Sequence, residues 1–283
     1  MWNLGGRSFG VATWLGWQIE SNWADPFLFF IYSMLRPISG VMILVVMYLV
    51  VTRQATQTAI FAYIYLGNAF FIYVRGVIVG VSWTVIDDRE HYGTLKYLAL
   101  APMPLITYVL GRGVAQLITS TLAVAITIGF GILFFGLPLG PAKLDAPLFI
   151  LSMALGIMSL AFIGLFLAGA TLLMARDAWN AGDAVSAALY LFSGAIFPLS
   201  VLPAWLRPVG FGLPVTFWLE LVRRSLLGTG AAAFPTFASF SNAQLVLILA
   251  GMTALYGTAA VFFFLWAENR ARRLGLLDQE TLS

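Results

Sequence analysis

Residues 87–102, DDREHYGTLKYLALAP, crowd two aspartates, an arginine, a glutamate, the chain's only histidine and one of its two lysines between two long apolar runs. These side chains could do acid–base work, so the first question is what chemistry they can support. His91 has no second histidine and no cysteine to share a metal with, and no H-E-x-x-H is present. The apolar runs carry no pair of carboxylates, so aspartyl chemistry is not supplied either. A phosphate-binding G-x-x-x-x-G-K-[ST] loop is missing, because Lys96 and Lys143 follow leucine and alanine rather than glycine. The expectation is a chain that is not an enzyme, with no catalytic residues and no metal site.

Other charges lie inside the apolar runs. Arg75, in FIYVRGVIVG, sits near the middle of one run, where a charge costs about 2.5–3.5 kcal/mol on insertion scales. A carboxylate, a backbone carbonyl or a wet cavity must compensate it. Arg75 is therefore either a structural hydrogen-bonding group at a dimer contact or a polar point on a transport path. Gly76 and Gly80 follow as G-x-x-x-G, a spacing that permits close helix approach. Arg36, before Pro37, is read as snorkelling to the inner headgroups. Glu220, Arg223 and Arg224 are i,i+3 and i,i+4 neighbours on one short helix. Mutual neutralisation is the structural reading of that trio, and a gate or headgroup contact is the alternative.

The elements that position these residues follow from composition. Of 283 residues, 61% are hydrophobic and 10% charged, with mean hydropathy +0.93. A soluble domain carries about 25% charged residues, so most of this chain's solvent is lipid. The net charge of +3 is too small and too scattered for nucleic acid. Crossing a bilayer core of about 30 Å takes about 20 apolar residues in a helix. Six runs qualify, at roughly 27–52, 58–86, 105–136, 147–175, 182–202 and 244–267. Residues 204–230 are apolar but broken by Pro208, Gly210, Gly212 and Pro214, which predicts a re-entrant helical hairpin. Residues 1–26 intersperse Trp14, Trp17 and Trp23 with polar positions, which predicts an amphipathic interfacial helix rather than a cleavable signal. Arg7, Arg89, Lys96, Arg112, Arg176, Arg270, Arg272 and Arg273 fall on one side of this layout. Arg53, Lys143 and Arg207, with Arg223 and Arg224, fall on the other. The excess places both termini, the 268–283 tail and the 87–102 segment in the cytoplasm.

Within 87–102, Tyr92, Leu95, Leu98 and Ala99 follow helical spacing, and Pro102 and Pro104 close the segment. An apolar stripe on a short cytoplasmic helix wants a protein groove. At this point the sequence resembles the ABC transporter type-2 permease family. REHYGTLKYLALAPMPLITYVLGRG is similar to that family's cytoplasmic loop, on Glu90, Gly93, Thr94, Leu95, Pro102, Gly111 and Arg112. FPLSVLPAWLRPVGFGLPVTFWLELVRRSLLG is similar to its re-entrant segment, on Pro198, Pro203, Pro214, Glu220, Arg223 and Arg224.

The resemblance implies an all-α polytopic membrane protein forming a single transmembrane permease domain over 1–283. It implies an ATP-driven exporter in the cell (inner or plasma) membrane of a prokaryote. Two permease chains would pair, as homodimer or heterodimer, among membrane lipids. A separate ATP-binding cassette subunit, holding the ATP and Mg, would grip the coupling helix at Arg89, Glu90, Tyr92, Gly93, Thr94, Leu95 and Leu98. Arg75, Glu220, Arg223 and Arg224 are the candidates for path or gate. The cargo would be hydrophobic or amphipathic: a drug, a lipid or a lipid-linked glycan. The rival readings are an ATP-independent secondary transporter, which would want coupling acids and an inverted repeat, and a structural membrane subunit.

Overall fold

The computed structural model describes residues 2–21, 26–52, 59–140, 143–174, 180–228 and 235–277. Ten α-helices account for most of them: α1 Trp2–Ser21, α2 Pro26–Thr52, α3 Ala59–Ile86, α4 Leu95–Leu100, α5 Leu105–Phe135, α6 Ala146–Leu173, α7 Ala181–Phe192, α8 Arg207–Phe211, α9 Pro214–Leu227 and α10 Asn242–Leu274. No strand occurs among the described residues. Four helices there are long and apolar enough to cross a membrane: α3 with its extension to His91, α5, α6 and α10. Their outer faces are greasy; Leu247, Leu255 and Phe262 of α10 are 72%, 68% and 71% exposed.

α3 is the central post. It packs against α5, α6, α7, α9 and α2, and Tyr65, Leu66, Val74 and Ile78 are fully buried. The contacts are close because small residues meet large ones. A Cβ on Gly76 would strike Ser120, and one on Gly80 would strike Gln116, so the G-x-x-x-G serves the α3–α5 contact within the chain. α10 runs beside α6, with Gly257 under the Phe162 ring. Its 33 residues span roughly 50 Å at 1.5 Å each, longer than a bilayer core, so the arginine-rich end projects out of the lipid.

Two expectations change. The fifth run, predicted over 182–202, is helical only to Phe192; Gly194 then takes φ +72° and Pro198 follows. Its 12 residues reach roughly 18 Å, too short to cross alone. The 87–102 segment is also not one helix. Residues Asp87–His91 extend α3 by a wider turn, with Tyr92 N donating to the Asp87 carbonyl at 2.9 Å, and α4 starts afresh at Leu95. The 204–230 hairpin is built as α8 and α9, five and 14 residues long, and neither is long enough to span.

α1 covers the predicted N-terminal helix. It lies on α5 through its small face: Ala12 and Gly16 are buried, while Val11 and Trp14 are both 61% exposed. A Cβ on Gly111 would sit 2.6 Å from the Ala12 Cβ. We expect Gly111→Val to force α1 off α5 at a cost of about 1–3 kcal/mol. Gly10→Ala meets open space and should gain about 0.5–1 kcal/mol of helix stability. Thermal melting of both variants in detergent checks the pair.

Candidate functional site

Charged side chains fasten the 87–100 segment to three long helices. Asp88 ends α3 and points inward, where its Oδ1 accepts from Arg112 Nη1 of α5 at 2.8 Å; both side chains are under a tenth exposed. The Thr94 amide donates to the Asp88 carbonyl at 2.8 Å, which closes the bend. Gly93 makes that bend at φ +57°, a left-handed conformation that a side chain would strain. Arg89 donates to the Thr171 carbonyl of α6 at 3.2 Å and pairs with Glu90 at 2.8 Å. The segment is thus a knuckle held by α3, α5 and α6 together. α1 joins through Glu20, which accepts from Gln116 of α5 at 2.6 Å. Burial pushes the Glu20 carboxyl up, against the opposing pull of the Gln116 hydrogen bond and the Arg112 charge.

The knuckle's orientation corrects the expected docking stripe. Leu95 is 1% exposed, Leu98 packs on the core, and the Arg89 and Glu90 side chains are 4% and 1% exposed. Gly93 and Thr94 form the bend. Of the seven residues singled out, Tyr92 alone is exposed. The stripe turns inward because Asp88 and Arg89 must reach Arg112 and Thr171, and this rotates the apolar positions onto the bundle. Tyr92 is the one described member of the stripe that stays exposed, and it shares the open surface with His91, Tyr97 and Leu100, with Lys96 Nζ 5.7 Å from the Tyr97 ring.

A second node forms where α7 breaks. Arg223 of α9 donates to the carbonyls of Gly194 and Ala195 at 2.9 and 2.8 Å and to that of Tyr63 at 3.1 Å. Its guanidinium lies 3.7 Å from the Tyr63 ring centroid. A helix end leaves carbonyls without intrahelical partners, and in lipid no water serves them, so Arg223 supplies the donors. Glu220 accepts from the Tyr63 hydroxyl at 3.1 Å and from Arg224 at 2.9 Å. Arg224 also donates to the carbonyls of Phe237 and Phe240. A Cβ on Gly67 would collide with Arg223 Nη2 and the Ala195 carbonyl. With Glu220 and Arg223 each 2% exposed, this trio clamps α9 to α3, α7 and the approach to α10. Arg223 also lines a small cavity with Tyr63, Gly194 and Thr216.

Arg75 differs. Its Nη2 meets Asp183 Oδ1 of α7 at 3.1 Å, and the two side chains remain 55% and 47% exposed. The carboxylate that compensates Arg75 thus comes from the start of the fifth run. Arg36 falls on a residue whose side chain lies outside the described set. Residues 6–10 also read G-x-S-x-G, but they lie within α1 and not at the strand-to-helix elbow that motif requires.

A family model described as ABC-2 type transporter matches residues 8–227. The chain belongs to that family. As an ABC-2 chain it is a transmembrane permease component, a multi-pass membrane protein. No curated protein matches it. The match runs from within α1 to the end of α9 and includes the charged side chains of both polar nodes of the ABC-2 chain.

Sequence reasoning passed over Asp88, Tyr63 and Asp183 as site residues. Asp88 carried a usable signal: an acid closing one span and Gly111-Arg112 early in the next. Tyr63 carried none among so many aromatics. We expect Arg112→Leu, which leaves Asp88 buried without its cation, to destabilise the ABC-2 chain by about 3–5 kcal/mol. The Asp88→Asn/Arg112→Gln double variant should lose less than the single. Melting of the two in the same detergent measures the difference, and equal losses would show that the pair does not act as a unit.

Proposed function

We propose that this permease is the membrane half of an ATP-driven exporter, moved by a separate ATP-binding subunit seated on the exposed face of the knuckle. The observation that carries this reading is the fastening of residues 87–100 to three long helices by Asp88–Arg112 and Arg89–Thr171. A push on α4 therefore reaches α3, α5 and α6 without loss in a flexible loop. Tyr92, Tyr97 and Leu100 supply an aromatic and aliphatic patch on the side away from the bundle, and such residues anchor protein interfaces. ATP and Mg belong to that partner. Two permease chains, alike or different, form the unit.

The distribution of arginine and lysine supports cytoplasmic termini and a cytoplasmic knuckle in a prokaryotic cell membrane. Six crossings follow if α2 spans and if α7 completes its crossing with the turns after Phe192. The cargo is a hydrophobic or amphipathic molecule drawn from the cytoplasm or inner leaflet. A secondary transporter has less support, because acids are scarce in the long helices and no inverted repeat is evident in the sequence.

Co-expression with candidate ATP-binding subunits tests the proposal. Stoichiometric capture and cargo-stimulated ATPase activity should be lost in Tyr97→Asp/Leu100→Asp, while melting of the permease holds, since both side chains are 67% or more exposed. Capture unaffected by that variant, or transport by the permease with no ATPase present, would overturn the reading.

A further inference from the structure

Along α3, from Phe61 to Ile86, Arg75 is the one exposed residue, its side chain 55% open. It shares a helical face with the half-buried Asn68, Ile72 and Val79. α7 runs beside this face and adds two polar rungs. Arg75 pairs with Asp183 at 3.1 Å, and the Tyr190 hydroxyl donates to Asn68 Oδ1 at 2.6 Å. Each helix spaces its two rung residues by seven, or roughly 10 Å of rise. The Phe71 ring packs on the Tyr190 ring of the second rung, centroids 4.6 Å apart.

Arg75 lies 11 residues before the end of α3, roughly 17 Å at 1.5 Å per residue, which is near the middle of a core about 30 Å thick. Lipid cannot cover two half-exposed charges at that depth without a penalty of kilocalories per charge. The open side of the rung therefore meets something polar, whether water, an occupant or the second permease chain, in contrast to the apolar outer face of α10.

The charge balance narrows the occupant. The pair is neutral as it stands. An anion drawn to Arg75 would leave Asp183 unmatched, and a cation drawn to Asp183 would leave Arg75 unmatched. A group carrying both signs exchanges partner for partner and leaves neither exposed. We propose that the Arg75–Asp183 rung is a water-accessible seat for the zwitterionic head group of an amphipathic cargo, its anion on Arg75 and its cation on Asp183. Ile72, Val79 and the Phe71–Tyr190 rings flank the apolar portion. This deepens the exporter reading and rests on it.

The chain has no cysteine, so single thiols can be introduced and their labelling read on this subunit, separated from its partners, without background. In the assembled complex, Ile72→Cys and Val79→Cys should react with a membrane-impermeant thiol reagent, and Leu255→Cys on the lipid face should not. Head-group choice is read with dodecylphosphocholine, dodecyl phosphate and dodecyltrimethylammonium. Two readouts serve: thermal shift of the complex in maltoside micelles, and half-stimulating concentration in the ATPase assay. Wild type should favour phosphocholine about tenfold, the effect of about 1.4 kcal/mol. Arg75→Gln should shift the preference to trimethylammonium and Asp183→Asn to phosphate, while Arg75→Asp/Asp183→Arg should restore phosphocholine. An unlabelled face, or one rank order shared by all variants, overturns the seat. A complex that assembles and hydrolyses ATP under those same conditions leaves the exporter reading standing, whereas failure to assemble with any ATP-binding subunit removes that reading instead.

Discussion

Hydrocarbon offers no hydrogen bonds, and that constraint governs where the buried charges among the described residues are found. In water a broken helix end or a stray arginine finds solvent; in lipid it must find protein. Arg223 is the plainest case. α7 stops after 12 residues, the Gly194 and Ala195 carbonyls lose their helical partners, and a guanidinium from α9 fills the gap. The Tyr63 ring then receives the cation's face. Removal of any one of these groups leaves another stranded, so the hairpin, the short helix and the central post stand or fall together.

The same constraint shapes the knuckle. Asp88 and Arg112 are both buried and meet at 2.8 Å, an arrangement that stabilises little by itself but is costly to half-dismantle. Its effect is geometric, since it fixes the rotation of residues 87–100 about the end of α3. Leu95 is thereby committed to the bundle, and Tyr97 and Leu100 to the outside. Close helix approach sets the rest of the frame. Gly76 and Gly80 admit α5, and Gly111 admits α1, so the elements that carry the charged groups cannot drift apart without opening voids.

Much of the layout was legible in advance because lipid imposes a simple rule on composition. The long apolar runs at 58–86, 105–136 and 147–175 match α3, α5 and α6 to within two residues at each end. The Pro- and Gly-broken hairpin was readable for the same reason, since broken backbone is conspicuous in an apolar stretch. The fifth run misled because Ser193 through Leu202 is apolar enough to continue a span, and only Gly194 and Pro198 hint that the helix has ended. The docking stripe misled because helical spacing gives a face but not its azimuth.

The sequence by itself determined the solvent, the helical class, the family resemblance and which residues would be expensive to leave alone, because each of these depends on residue type and spacing along the chain. Which charge meets which was decided only by tertiary structure. Arg75 and Asp183 are 108 positions apart, and Tyr63 and Glu220 are 157 apart. Pairings over such separations depend on how the helices are arranged side by side and rotated, and that is set by the packing of small residues against large ones throughout the bundle, which no local pattern records.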